Sequence, residues 1–149
     1  MSKTTSLLFH IVFSTRYRLN AIPQSLEKDV YTFVWSCIKE KSSHLLRIGG
    51  IGDHIHLLVN LNPAVALSDF VRHVKAKSSG WMRTDGRFPM FKGWSEGYFA
   101  CSISPDVKRN VISYINDQKT HHRVNPFDDE MKSLCHYADL EYDDRDMRL

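Results

Sequence analysis

The chain has 149 residues, of which 42% are hydrophobic and 25% charged, and its formal net charge is +3. This length predicts one domain whose hydrophobic core needs neither disulfides nor a structural metal. No stretch approaches ~18 uninterrupted apolar residues, and the first residues lack a charged start followed by an apolar run, so the sequence predicts neither a spanning helix nor a secretory signal.

The spacing of the cysteines and the distribution of charge indicate more about the class of protein. Cys37, Cys101 and Cys135 are widely spaced and form no C-x-x-C pair, which favours free thiols in a reducing cytoplasm. Residues 1–127 carry 17 Lys and Arg against 9 Asp and Glu, whereas residues 128–149 carry 3 against 8. A basic body with an acidic tail suits a polyanionic partner, although an ordinary solvated surface has the same composition.

The first elements are a strand and a helix. Residues 6–15 (SLLFHIVFST) are rich in β-formers and predict a strand that places His10 on one side. The opposite side of this strand carries Leu7, Phe9, Ile11 and Phe13. Pro23 and Ser25 then open a helix, with Ser25 as its expected N-cap, and the helix fades near residues 42–43.

A hairpin follows, with strands at residues 44–50 and 53–61 and glycines at the turn. Alternation along the second strand directs Ile55, Leu57, Val59 and Leu61 towards a core. His54 and His56 point the other way, where two imidazoles separated by one residue can hold a single metal ion. Exposed polar surface is the alternative interpretation of such a pair.

The next segment predicts a helix at residues 67–83, a loop with mixed basic and aromatic residues at 84–94, and a strand at 96–104. The buried stripe of this helix is expected to contain Phe70, Val71, Val74 and Trp81. The residues of the strand expected to point inward are Phe99, Cys101 and Ile103.

A third helix is expected to begin at Ser104-Pro105-Asp106, which combines an N-cap serine, a proline at the first helical position and an acid in the first turn. It should run to about Arg123, before Asn125-Pro126 stops it. Residues 126–137 predict a short fourth helix, and the last residues are expected to be loose.

The resulting order, β-α-β-β-α-β followed by helices, predicts an α+β fold of the ferredoxin-like or RRM-like type, with a four-stranded antiparallel sheet. The two crossover helices must cover the face that carries Ile55 and Leu57. His54 and His56 therefore face away from those helices. The third helix has only that second face, or a partner molecule, to pack against.

Tyr114 and Gln118 lie four residues apart on the third helix, and so on one face, with His121 further along the same edge. If this helix covers the histidine face, a phenol and an amide oxygen come close to the imidazoles. Two nitrogens and one oxygen with open positions suit a divalent ion that binds a substrate phosphate. A core role for Tyr114 and a solvated helix end for His121-His122 are the alternatives.

The remaining histidines carry no such pattern. His10, His44 and His73 are interpreted as structural.

Four segments carry a resemblance to a known family: Asp53–Val59 (DHIHLLV), Phe13–Arg18 (FSTRYR), Trp94–Phe99 (WSEGYF) and Tyr114–Gln118 (YINDQ). Together they resemble the small single-tyrosine HUH transposases of the insertion-sequence-200/605 type. They also resemble the domesticated relatives of these enzymes, the transposases associated with repetitive extragenic palindromes. Downstream, His121-His122 and Phe127–Glu130 (FDDE) also resemble one branch of the family, and the resemblance spans roughly residues 6–145.

The resemblance implies that Tyr114 is the nucleophile and that His54, His56 and Gln118 bind Mg²⁺ or Mn²⁺. The implied activity is cleavage of single-stranded DNA near a hairpin, which leaves a 5′-phosphotyrosine and a free 3′-OH, followed by rejoining. Members commonly form homodimers in which the tyrosine helix of one subunit lies over the histidines of the other, although some relatives are monomeric. The expected location is the cytoplasm of a bacterial or archaeal cell, at the nucleoid during activity.

The whole chain is then expected to form a single HUH transposase domain, with a core at about residues 6–124 and a C-terminal helical extension at 125–149.

Contacts to DNA are expected from basic residues, with Phe88, Phe91 and Trp94 either stacked on unpaired bases or packed in the core. The basic candidates are Arg16, Arg18, Arg72, Lys75, Lys77, Arg83, Arg87 and Lys92. Two other functions fit the pattern: a domesticated nuclease acting on chromosomal palindromes, and a non-catalytic RRM-like nucleic-acid-binding module.

Overall fold

A computed structural model gives the fold and describes residues 4–120 and 127–142. The strands are β1 (Leu8–Ser14), β2 (His44–Ile51), β3 (His54–Asn60) and β4 (Phe99–Ser102). The helices are α1 (Glu27–Glu40), α2 (Leu67–Asp85), α3 (Lys108–Asn116) and α4 (Phe127–Tyr137). The strands form one antiparallel sheet in the order β2-β3-β1-β4, which confirms the predicted ferredoxin-like arrangement.

The main core lies between one face of the sheet and helices α1 and α2. Because side chains alternate along a strand, Ile55 and Leu57 of β3 pack here beside Ile11 and Phe13 of β1, and all four are fully buried. Each such side chain contributes about 1.5–3 kcal/mol by leaving water. This burial fixes the register of β3 and sends its intervening residues to the opposite face.

The opposite face of the sheet is covered as well, by α3 and α4. A second, smaller apolar cluster there combines side chains of the sheet with side chains of α4, namely Val12, Phe99, Phe127, Met131, Leu134 and Cys135. Helix α3 packs closely on β2: a Cβ added to Gly49 would lie 2.7 Å from the carbonyl oxygen of Ile115. The absence of a side chain at Gly49 thus lets α3 approach the sheet.

The predicted facing of the last strand is wrong. Phe99 and Cys101 point to the second cluster, on the side of His10, whereas Ala100 packs against the main core. Antiparallel pairing fixes this choice, since Ala100 lies opposite Ile11 of β1. The sequence analysis placed no apolar layer of α4 on this face, so Phe99, Cys101 and Ile103 were assigned to the main core. Ile103 lies beyond the end of β4 and is partly buried.

Two helix boundaries also differ from the prediction. Ser25 lies inside a 3-10 turn (Gln24–Leu26) and is not an N-cap, and α1 begins at Glu27. The third helix is interrupted at Asp117, whose N–H is shared between the carbonyls of Ser113 and Tyr114, and helical structure resumes at residues 118–120. Asparagine and aspartate are among the weaker helix formers, which explains a break at Asn116-Asp117.

The remainder of the third helix, including His121 and His122, lies outside the described residues, as does the chain after residue 142. Across the described part of the chain, no helix combines the length and the apolar character needed to cross a membrane.

Candidate active site

The strand β3 carries His54 and His56 on the face away from the main core, and both side chains are fully buried beneath α3 and α4. Nδ1 of His54 donates to Oδ1 of Asp53 at 2.7 Å, and Nδ1 of His56 is 2.8 Å from Nε2 of His10. Each ring is therefore held at Nδ1. The two Nε2 atoms are left to face a common group.

That common group is Glu130 of α4, together with Gln118. Oε1 of Glu130 lies 3.4 Å from Nε2 of His54 and 3.2 Å from Nε2 of His56. Nε2 of His54 donates to Oε1 of Gln118 at 3.0 Å, and Nε2 of Gln118 donates to Oε2 of Glu130 at 3.1 Å. Gln118 and Glu130 are each 1% exposed, so four polar side chains meet in a closed space.

These spacings match the geometry of a metal shell. Ligand atoms about 2.1 Å from a common ion lie about 3.0–3.4 Å apart in octahedral or tetrahedral arrangements. Nε2 of His54 lies within that range of Oε1 of Gln118 and of Oε1 of Glu130. One ligand atom each from His54, His56 and Glu130 lies within 4.8 Å of the others. Imidazole nitrogens with amide and carboxylate oxygens are donors that divalent ions accept, so the residues fit a divalent cation.

Tyr114 lies beside this cluster in the same chain. Its hydroxyl donates to Oε2 of Glu130, and its ring lies 5.6 Å from that of His56 and 6.0 Å from that of His10. The carboxylate of Glu130 is thus interposed between the phenol and the two imidazoles. One chain brings together the phenol, both imidazoles and the amide that the sequence singled out.

Burial and charge shape the protonation of the site. Burial alone lowers the pKa of His54, but hydrogen bonds to Asp53 and Glu130, together with their charges, outweigh it and raise that pKa to about 9. Burial lowers the pKa of His10 to about 3, with the charge of His56 acting in the same direction, so His10 is neutral. Burial and the charge of Glu130 hold the pKa of Tyr114 well above its usual range, so the phenol keeps its proton here.

Helix α4 closes the space above the histidines. The ring of Phe127 stacks on that of His54 at 4.3 Å. Arg18 pairs with Asp128 and lies 5.0 Å from the centre of the Phe127 ring. With α4 in this position, neither imidazole is accessible to solvent.

Five of the predicted basic residues line one groove of about 530 Å³ on the α2 side of the sheet, with Trp94, Tyr98 and Glu96 in its wall. They are Arg16, Arg72, Lys75, Arg83 and Lys92. Lys75 donates to the carbonyls of Ser95 and Gly97 at 2.7 Å each, and burial lowers its pKa to about 8. This lysine therefore holds the wall of the groove in place.

The other three predicted basic residues lie elsewhere. Arg18 is in the pair with Asp128 on the histidine side, and Arg87 pairs with Asp85 and Asp29. Lys77 is exposed on α2, outside the lining of the groove.

The three aromatic residues considered for base stacking are buried in the main core. They are Phe88, Phe91 and Trp94. The indole of Trp94 donates to the hydroxyl of Ser78 at 2.9 Å. The packed interpretation is therefore the correct one.

Sequence reasoning named Glu130 only within a segment that resembles the family and gave it no role in the site, and it treated His10 as structural. A signal for Glu130 was present: Phe127, Met131 and Leu134 form the apolar stripe of α4, and Glu130 lies on that stripe, whereas Asp128 and Asp129 lie off it. An acid on a buried stripe is unusual unless it is paired. For His10, the signal was its position on the same face of the sheet as His56.

The sequence is similar to those of known transposases. The family model described as "Transposase IS200 like" matches residues 3–118. The transposase for insertion sequence element IS200 of Salmonella typhimurium is 26% identical over 115 residues, covering 74% of this chain and 75% of that protein. The ISDra2 transposase TnpA of Deinococcus radiodurans is 21% identical over 119 residues, covering 75% of this chain and 84% of that protein.

Solved structures share the fold. A crystal structure of a candidate transposase from Deinococcus radiodurans R1 has a TM-score of 0.61 at 20% identity, covering 79% of this chain and 95% of that one. A REP-associated tyrosine transposase bound to a REP hairpin has a TM-score of 0.62 at 12% identity, covering 82% of this chain and 74% of that one.

The raised pKa of His54 predicts how stability depends on pH without metal. Its folded value of about 9 exceeds the unfolded value of 6.5, so the contribution of His54 is complete below pH 6.5 and is lost as the pH rises through 9. Between pH 6.5 and pH 8 the loss is on the order of 1–2 kcal/mol, since one pKa unit is worth about 1.4 kcal/mol. Above pH 8 the lowered pKa of Lys75 acts in the opposite direction.

Urea unfolding in a chelating buffer measures this dependence, with His54→Gln as the control that lacks the titrating ring. The free energy of unfolding of the wild type should fall with pH relative to that of the variant. If the free energies of unfolding of the two proteins changed with pH in parallel, the raised pKa of His54 would be contradicted.

Proposed function

We propose, on the premise that this chain belongs to the IS200-like transposase family, that it cleaves and rejoins hairpin-bearing single-stranded DNA through a covalent bond to Tyr114. One observation carries the proposal: His54, His56 and Gln118 lie close together, and only the carboxylate of Glu130 separates the imidazoles from the Tyr114 hydroxyl. A phenol beside a set of metal-binding donors provides the groups that nucleophilic attack on a phosphodiester requires.

The proposed metal ligands are His54, His56 and Gln118, to which the geometry adds Glu130. The proposed ion is Mg²⁺ or Mn²⁺, which when bound supplies a Lewis acid that polarises the phosphate. Asp53 orients His54 by accepting a hydrogen bond from its Nδ1.

In the proposed reaction, the Tyr114 oxygen attacks the scissile phosphorus and the bond from phosphorus to the 3′ oxygen breaks. The products are a 5′-phosphotyrosine and a free 3′-OH, so the net proton movement is from the phenol to the leaving 3′ oxygen. The phosphotyrosine bond conserves the energy of the phosphodiester. Attack by a 3′-OH reverses the step and rejoins the strand without a nucleotide cofactor.

Glu130 occupies the position between the imidazoles and the phenol where the scissile phosphate has to lie. We therefore expect DNA entry to displace the Glu130 carboxylate and to move α4 off the histidine face. The chain works as one domain in this proposal, because its C-terminal helix closes the site that the sheet and α3 build. The REP hairpin bound to the structural neighbour supports a hairpin substrate for this chain too.

The basic groove is the proposed binding site for the DNA backbone. Arg16, Arg72, Arg83 and Lys92 line it, with Glu96 as the acid among the lining residues. Phosphate contacts of this kind position a nucleic acid and carry most of the salt dependence of binding.

Incubation of the protein with a hairpin-bearing DNA strand and Mn²⁺ tests the nucleophile. The wild type should form a covalent protein–DNA adduct on a denaturing gel, and Tyr114→Phe should reduce it by at least about a thousandfold because the attacking oxygen is gone. Tyr137→Phe, which alters an exposed tyrosine of α4 (63% exposed), is the matched control and should leave the adduct unchanged.

An adduct that survives Tyr114→Phe would exclude this residue as the nucleophile. Tight binding of the hairpin without any adduct in the wild type would favour a non-catalytic binding module.

Neutral substitutions test the groove. Arg83→Gln and Lys92→Gln should each weaken hairpin binding and reduce the slope of log affinity against log salt by about 1, as expected for one lost phosphate contact. Lys39→Gln removes the same charge from α1, outside the groove, where Lys39 lies over Trp35. Fluorescence anisotropy at several salt concentrations measures the slopes. If the wild type and all three variants gave equal slopes, the DNA backbone would have to bind outside this groove.

A further inference from the structure

We infer that His10 is a positioning residue, whose imidazole holds the ring of His56 so that Nε2 of His56 faces the cation. This inference rests on the proposed metal site. Nε2 of His10 lies 2.8 Å from Nδ1 of His56, a normal hydrogen-bond distance between buried side chains. The same role is filled for His54 by Asp53, at 2.7 Å.

His10 is itself held firmly. It lies on β1, next to β3 in the sheet, and is 5% exposed. Its ring meets that of His56 edge to edge, with centres 5.1 Å apart and planes only 27° apart, as an in-plane hydrogen bond requires. The rings of Phe99 and Tyr114 meet it edge-on at 5.9 and 6.0 Å. A side chain enclosed in this way can fix the orientation of its neighbour.

An imidazole suits this position because its Nε2 can either donate or accept a hydrogen bond. With no cation, Nε2 of His56 faces the Glu130 carboxylate at 3.2 Å and donates to it, so Nδ1 of His56 accepts from His10. When Nε2 of His56 binds a cation, its proton is on Nδ1 and is donated to Nε2 of His10. The contact at 2.8 Å therefore persists in both states with the donor reversed.

Loss of this partner should weaken the metal site. Groups that orient metal-binding histidines typically contribute about 10–100-fold to metal affinity. His10→Leu removes the hydrogen bond that holds Nδ1 of His56. His10→Gln restores a polar group near the position of Nε2, since its amide can also donate or accept.

Titration calorimetry with Mn²⁺ on the full chain compares the wild type, His10→Leu, His10→Gln and Val12→Ala. Val12 is also fully buried on β1, next to His56 in the register, but it forms no hydrogen bond with that ring. The expected result is a loss of about 10–100-fold in affinity for His10→Leu, with most of it recovered in His10→Gln and little change in Val12→Ala. Equal affinities for His10→Leu and Val12→Ala would overturn the inference.

A spectroscopic measurement does not depend on the variants folding. In the ¹⁵N-labelled wild type with Mg²⁺ bound, His56 should carry its proton on Nδ1, and His10 should be the neutral tautomer with a bare Nε2. The opposite tautomer at either ring would overturn the inference. If the wild type binds no Mn²⁺, or if binding survives the double variant His54→Ala, His56→Ala, then the proposed metal site fails and this inference fails with it.

Discussion

The alternation of side chains along β3 is the constraint from which the site follows. Ile55 and Leu57 are drawn into the main core by burial, so the strand has no freedom to turn His54 and His56 inward. A register shift by one residue would bury two imidazoles against α1 and α2 and would place two large apolar side chains beside the polar groups of Gln118 and Glu130. The apolar burial that stabilises the sheet therefore also determines that the two histidines point to the opposite face.

The buried carboxylate of Glu130 is the second determinant. A carboxylate that is 1% exposed has to be paired or solvated by polar groups, because an isolated buried charge is very costly. Here it is met by the phenol of Tyr114, the amide of Gln118 and the Nε2 atoms of the two histidines. Burial, together with the charge of Glu130, raises the pKa of Tyr114 and so keeps the phenol protonated. In the proposed reaction, the Glu130 carboxylate also fills the space that a substrate phosphate needs. The described structure is thus a closed form of the site.

Much of this arrangement could be predicted from the sequence. The period-2 pattern of β3 and the β-α-β-β-α-β order led directly to the ferredoxin-like sheet, and the i, i+4 couplet placed Tyr114 and Gln118 on one face of the third helix. The helix break at Asp117 does not disturb this couplet, since Gln118 still reaches His54.

The parts that could not be predicted depend on packing between distant segments. Phe99 faces the second cluster because α4 provides an apolar layer there, and nothing local to β4 signals that layer. Glu130 joins the histidines from 74 residues away in sequence. The contact between His10 and His56 depends on the pairing of β1 with β3, which the sequence predicts as topology without giving the rotamers of the two rings.

Anomalous diffraction from crystals of the wild type soaked in Mn²⁺ tests the central claim most directly. We expect one strong peak bounded by Nε2 of His54, Nε2 of His56 and Oε1 of Gln118, with the Tyr114 hydroxyl of the same chain beside it. Full Mn²⁺ occupancy at some other site, with this cluster empty, would contradict the account, as would histidine rings turned towards the main core.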